Sequence, residues 1–254
     1  MKLDFFAVTM KGKKSIENED SFALPDSNAT ELSYKINLRR KGYFFIVCDG
    51  MGGHNSGEVA SELTSSWLMK DYYTSSALFS SLPEMIKKTN QKLFELSKKH
   101  EQYKNMGTTL VSLLIKRKEA LVHNVGDSRC YVYANNKLKQ ITEDHSEVWE
   151  LYEKGLIEKD DILTSARKNI LTQAIGLKEK LEINNYIVTL PAEYIFLLCS
   201  DGVSDVIKDS DLESVIKNSL NLKDCADTLM KTSISNGSKD DITILLVSNY
   251  MQKE

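Results

Sequence analysis

The feature that most constrains this chain is a short apolar run that halts at an acidic turn, repeated along its length. Residues 43–48 run into Asp49-Gly50, residues 194–199 into Ser200-Asp201-Gly202, and residues 120–125 into Gly126-Asp127-Ser128. Near the C-terminus the order reverses, and Asp240-Asp241 opens the run 242–247. Runs of about four to eight β-formers bounded by Gly, Asp and Ser predict strands buried on one or both faces. Residues 5–9, 109–115, 129–133, 138–142 and 185–190 read as further strands. The stretch 129–142 reads as a hairpin turning at Asn135-Asn136, because Asn tolerates positive φ.

Helices fall between these runs in pairs. Residues 58–73 follow Ser56 as a cap, and 83–99 carry Pro83 in the first turn. Residues 148–154 end at Gly155, and 211–220 and 223–235 close the set. Two early helices, a block of strands and two late helices predict an α+β layered domain with sheets stacked in the middle and helices outside. No repeat, Gly-Ser linker or long charge run divides residues 1–254, so a single domain is expected.

Charge and cysteine usage narrow the function. Lys plus Arg total 33 against 36 Asp plus Glu, a net charge of −3, which leaves no electrostatic footprint for nucleic acid or an anionic membrane. The longest apolar runs are strand-sized, far short of the roughly 20 residues a membrane-spanning helix needs. No signal-peptide pattern opens the chain, and a cytoplasmic protein is expected. Cys48, Cys130, Cys199 and Cys225 lack any C-x-x-C spacing and read as reduced core thiols, and the histidines form no zinc pattern.

If the acidic strand ends lie side by side, their carboxylates converge. Two such charges about 4 Å apart repel by roughly 4 kcal/mol at an effective dielectric near 20, so the cluster needs cations. Oxygen-only ligands select Mg²⁺ or Mn²⁺ over Zn²⁺. Two hard ions sharing a water favour displacement at phosphorus. Spacing alone goes no further than a divalent-metal site.

The ordered elements Asn18-Glu19-Asp20, Asp49-Gly-Met-Gly-Gly-His54 with Gly57-Glu58, Met106-Gly-Thr-Thr109, Val125-Gly-Asp-Ser-Arg129, Asp144-His145-Ser146, Leu171-Thr-Gln-Ala-Ile-Gly176, Cys199-Ser-Asp-Gly202 and Asp240-Asp-Ile-Thr243 carry a resemblance. In this order, from Asn18 to Thr243, the chain resembles the metal-dependent type 2C serine/threonine protein phosphatases in their compact bacterial form. The resemblance implies a four-layer α-β-β-α sandwich, two central antiparallel sheets flanked by helix pairs. It implies that Asp49 bridges two catalytic Mn²⁺ or Mg²⁺ ions and that the Gly50 carbonyl binds one of them. Glu19 would reach that same ion directly or through water, and Asp201 and Asp240 would hold the other. Asp20 would orient metal-bound waters, and Asp127 with Asp205 would hold a weaker third ion. The implied reaction is attack by a metal-bridging hydroxide on phosphoserine or phosphothreonine, with no phospho-enzyme. His54 matches a candidate general acid, Arg129 reads as a brace of the Gly-Asp-Ser turn, His145 as structural, and His123 as a core histidine. Implied partners are phosphorylated proteins and a cognate serine/threonine kinase system, and with no heptad seam a monomer is expected.

Two positions depart from the family pattern. Ser15 stands where a phosphate-binding arginine is expected, and a serine offers one neutral donor in place of a guanidinium fork. If residues 13–15 are extended, Lys13 shares the Ser15 face and can supply part of the missing charge. Asp241 stands where the family carries Asn. Residues 155–170 occupy the position of a variable flap, and their polar make-up predicts an exposed, mobile loop that touches the substrate protein. Two other readings stay open: a catalytically silent relative that binds phosphoproteins as a regulatory module, and a phosphatase of small phosphoesters.

Overall fold

The structure, a computed structural model, describes residues 3–25, 40–52, 56–76, 79–158, 161–162, 165 and 167–250. One sheet runs β1 (Asp4–Met10), β11 (Ile242–Ser248), β10 (Ile195–Cys199), β7 (Arg129–Ala134), β8 (Lys137–Gln140). The other runs β2 (Asp20–Ala23), β3 (Tyr43–Met51), β5 (Leu110–Lys116), β6 (Glu119–Val125), β9 (Asn184–Thr189), with the short β4 (Gly107–Thr108) paired to β3. These pairings are antiparallel.

The apolar runs lack polar alternation because both faces of the central strands are covered. On β3, Phe44, Ile46 and Cys48 pack toward helices α1 (Ser56–Thr74) and α2 (Leu82–Lys99), while Phe45 and Val47 face the other sheet. In the opposite sheet Leu197, Cys199, Ile244 and Leu246 meet α5 (Asp209–Asn218) and α6 (Leu222–Ser235). Phe196, Leu198, Leu245 and Val247 fill the space between the sheets. Each large side chain so buried contributes about 1.5–3 kcal/mol. Three stacked apolar layers therefore define an α-β-β-α sandwich, as the resemblance implied.

Several expected boundaries shift. Strand β3 does not stop at Cys48: Asp49 pairs with Asp20 and Gly50 with Thr108, so the acidic residue lies within the sheet. Strands β2 and β4 are too short to carry a hydrophobic signature. Strand β8 ends at Gln140 instead of reaching residue 142. The hairpin turns where expected, with Asn135 at φ 52° and Asn136 at φ 60°. All four cysteines are free and buried. Among the described residues no helix is long and apolar enough to cross a membrane.

The segment 155–170 is not wholly polar and exposed as expected. Ile162 is buried with Val148 and Trp149 of α3 (Glu147–Glu153) in a small cluster of its own, because the amphipathic face of so short a helix needs a cover. Residues 159, 160, 163, 164 and 166 lie outside the described residues.

His123 is a core histidine, as expected. It sits in β6 with its Nδ1 3.3 Å from Ser112 Oγ, and burial pushes its pKa down to about 4 from 6.5. The neutral ring is favoured in the fold, so its contribution is intact above pH 6.5 and lost as pH falls toward 4. His123→Gln should remove that part of the acid limb. The stability difference between wild type and variant, from urea melts, should shift by about 3 kcal/mol against wild type between pH 7 and pH 4.

Candidate active site

Antiparallel pairing brings the acidic turns to one rim. In one sheet the end of β3 lies against the start of β2, and the start of β5 against the end of β6. In the other, Cys199 at the end of β10 pairs with Ile244 near the start of β11 and with Arg129 at the start of β7. Asp20, Asp49, Asp127, Asp201 and Asp240, scattered in sequence, therefore share one rim.

Their mutual field shows the proximity. Burial pushes the Asp49 carboxyl well above the usual range, and Asp20, Asp201, Asp127 and Asp240 push it further. Asp201 is raised by burial and then by Asp127, Asp205, Asp240 and Asp20. Burial raises Asp20 to about 7, although bonds to Thr243 and Ser200 work against it. Asp127 reaches about 7 through burial, Asp144 and Asp205. Glu19 is raised by burial, with Asp241 adding to it, and Gly57 at the start of α1 gives its carboxylate a backbone hydrogen bond. Burial also raises Asp240, although its residue is exposed at the rim.

Hydroxyls set the backbone of this rim. Thr109 Oγ1 accepts the Asp49 N–H at 2.9 Å, and the Thr109 N–H and Thr108 hydroxyl both donate to the Asp49 carbonyl at 2.8 Å. Ser200 Oγ donates to Asp20 Oδ2 at 2.7 Å and accepts the Thr243 N–H at 3.0 Å, tying the sheets together under the acids. These threonines and serines were unassigned in the sequence reading. A hydroxyl beside the acidic residue at a strand end was the available signal. Gly57 has to be small: a Cβ there would stand 2.6 Å from the Glu19 carboxyl carbon.

The turn after β6 is braced as expected. Arg129 forks onto Asp144, with Nη2 to Oδ2 at 2.6 Å and Nε to both oxygens at 3.0 Å. His145 accepts the Gly126 N–H on Nδ1 at 3.3 Å and donates its own N–H to the Gly126 carbonyl at 2.9 Å. His54 lies outside the described residues.

The donor set suits a hard cation. All of the candidate ligands are oxygens, and the buried Asp20 Oδ1 and Asp201 Oδ1 have no hydrogen-bond partner. Among the described residues no three acidic, cysteine or histidine side chains close on a single point at ligand spacing. The carboxylates share the rim without collapsing together, as like charges in a poorly polarisable surrounding do.

This geometry accompanies a match to the protein phosphatase 2C family profile over residues 5–163. The chain belongs to the protein phosphatase 2C family. It is 38% identical over 215 residues to the serine/threonine phosphatase stp of Listeria welshimeri, covering 82% of this chain and 85% of that one. The crystal structure of serine/threonine phosphatase Stp1 from Staphylococcus aureus superposes with a TM-score of 0.88 at 30% identity, over 98% of this chain and 96% of that one. The catalytic domain of the phosphatase PstP, solved with two manganese ions, shares the fold at a TM-score of 0.80 and 24% identity, over 96% of this chain and 97% of that one.

Both departures from the 2C pattern acquire a physical description. Residues 11–19 bend and do not continue β1, so the strand alternation that put Lys13 on the Ser15 face does not apply. Lys13 is exposed. Lys14 is exposed too, but its charge weakly opposes the rise at Asp240, and its backbone N–H donates to the Lys239 carbonyl at 3.1 Å. Asp241 does not face solvent. Its Oδ1 accepts the Gly12 N–H at 2.6 Å and its Oδ2 the Glu19 N–H at 2.7 Å, clamping both ends of that loop. An asparagine has one acceptor oxygen and could hold only one of them.

Each of these bonds to a charged acceptor is worth about 1.5–3 kcal/mol. Asp241→Asn should therefore lose about that much stability, and Asp241→Ala about twice as much, read as shifts of the urea midpoint at constant m-value.

Proposed function

We propose that this serine/threonine protein phosphatase hydrolyses phosphoserine and phosphothreonine in proteins with two divalent ions, Mn²⁺ or Mg²⁺. Glu19, Asp49, the Gly50 carbonyl, Asp201 and Asp240 are the proposed ligands, with a weaker third ion at Asp127 and Asp205. The observation that carries this reading is the shared rim to which the strand pairing brings Asp20, Asp49, Asp127, Asp201 and Asp240 in a chain of the 2C family. The relative PstP, solved with two manganese ions, supports the choice of metal class.

When bound, the ions supply the positive charge that lets these carboxylates ionise together and a water acidic enough to attack phosphorus near neutral pH. The protein's part is placement. Thr108 and Thr109 fix the Asp49 backbone, and Ser200 holds one Asp20 oxygen while the other is left to orient solvent at the rim. Asp241 sets the Glu19 backbone. Lys14, beside Asp240, is positioned to meet a phosphate oxygen as a point charge, the role the missing arginine would fill as a fork. His54 is the proposed general acid that protonates the leaving serine or threonine oxygen. No side chain takes the phosphoryl group in this scheme. We further assign residues 1–254 to one catalytic domain with 155–170 as its flap, acting as a cytoplasmic monomer opposite a serine/threonine kinase.

Release of phosphate from an aryl phosphate and from a phosphothreonine peptide should require Mn²⁺ or Mg²⁺ and vanish with chelator. Asp201→Asn should lower kcat/KM by about 100-fold or more, several kcal/mol of transition-state stabilisation. A chain that binds phosphopeptide yet stays silent in excess Mn²⁺ is the regulatory module, and one that cleaves only the small ester acts on other substrates.

Phosphate grip has its own readout. Lys14→Ala should raise KM for the aryl phosphate about two- to fivefold, with Lys13→Ala changing it less and Ser15→Arg lowering it. Equal effects of the two alanine variants would show that Lys14 has no special place.

A further inference from the structure

Asp205 follows α4 (Asp201–Ser204), and its charge reaches Asp127, Asp201 and Asp240. A cation already sits on it. Lys168 Nζ lies 2.7 Å from Asp205 Oδ2, with the two side chains only 28% and 21% exposed. Among the described residues the other lysine ion pairs lie on the surface, at 43% exposure or more for either partner. Several of those join neighbouring turns of a helix. Lys168 instead comes from the segment 155–170 and reaches the acidic rim. Its neighbour Arg167 points elsewhere, to Glu147 at 3.6 Å, and is 65% exposed.

We propose that Lys168 is a resident counter-ion of the outer carboxylates, and that its ammonium and a third divalent ion compete for Asp205. This rests on the reading of Asp127 and Asp205 as the third-ion pair. An ammonium takes a carboxylate lone pair by donating a hydrogen, and a divalent ion needs that oxygen bare. Two cations on one oxygen also repel, so occupancy by one raises the dissociation constant of the other. The third position is weak because the chain carries its own competitor.

The test is Mn²⁺ binding to the full chain, followed by calorimetry and by the electron-paramagnetic signal of free Mn²⁺. Asp127→Asn marks the third ion as the weak class that disappears. Lys168→Met should tighten that class roughly fivefold while leaving the tighter ions unchanged, and Lys168→Gln should do the same. Lys168→Arg, which keeps the charge, should stay near wild type. Arg167→Met removes the same charge from a residue paired elsewhere and should change nothing. An unchanged weak class in Lys168→Met overturns the competition, and so does equal tightening in Arg167→Met, which would reduce the effect to net charge. If neither wild type nor Lys168→Met shows a class that Asp127→Asn removes, the third-ion reading fails and the competition with it.

Discussion

Asp20 and Asp49 stand directly opposite each other in neighbouring antiparallel strands, a placement that like charges disfavour. The register compels it. Phe22 pairs with Val47 and Ala23 with Ile46, and a slip by one residue would turn Phe22 of the edge strand β2 away from the layer between the sheets. The apolar layers on either side of β3 thus fix the sheet, and the sheet fixes the carboxylates. The same holds across the sandwich, where Leu198 and Leu245 are paired and the acids of the SDG and DDIT turns follow just beyond. Hydrophobic burial thus supplies the work that keeps a repelling cluster assembled.

Such a cluster has to be stiff to be useful. The polar groups beneath it are tied in short bonds: Ser200 to Asp20 crosses between the sheets, while Thr243 to Ser200 and Thr9 to Thr243 at 2.7 Å link neighbouring strands of one sheet. Asn18 joins through its amide to Thr9 at 2.9 Å and accepts the Asp20 N–H at 3.1 Å. Asp241 is the departure that strengthens this arrangement, since a carboxylate accepts two N–H groups where an amide accepts one. The same charge adds to the field on Glu19, so the clamp tightens the loop and raises the demand for cations together. The buried Arg129–Asp144 fork does not relieve that demand, since Asp144 raises Asp127 more than Arg129 lowers it.

Much of this was legible beforehand, for identifiable reasons. The strand that carries Asp49 and those that lead into Asp127 and Asp201 announce themselves because they are buried on both faces and read as unbroken apolar runs. The turn at Asn135-Asn136 is written in residue types that accept positive φ. Strands β2 and β4 were not legible, since their few residues are held by partners distant in sequence. Ile162 was hidden in a polar stretch, and its burial depends on α3. The alternation that would put Lys13 beside Ser15 needs an extended chain past Met10, where the chain bends instead.

The sequence by itself determined the class of element, the two-faced burial of the central strands and the set of acidic residues that end or open them. Each of these is a local property, carried by residue type and short-range order. Only the tertiary structure decided which carboxylates face one another, that Asp241 points inward to Gly12 and Glu19, and that Lys168 lies on Asp205. Those are meetings of segments far apart in the chain, selected by the packing of whole layers, and no local pattern encodes the distance between them.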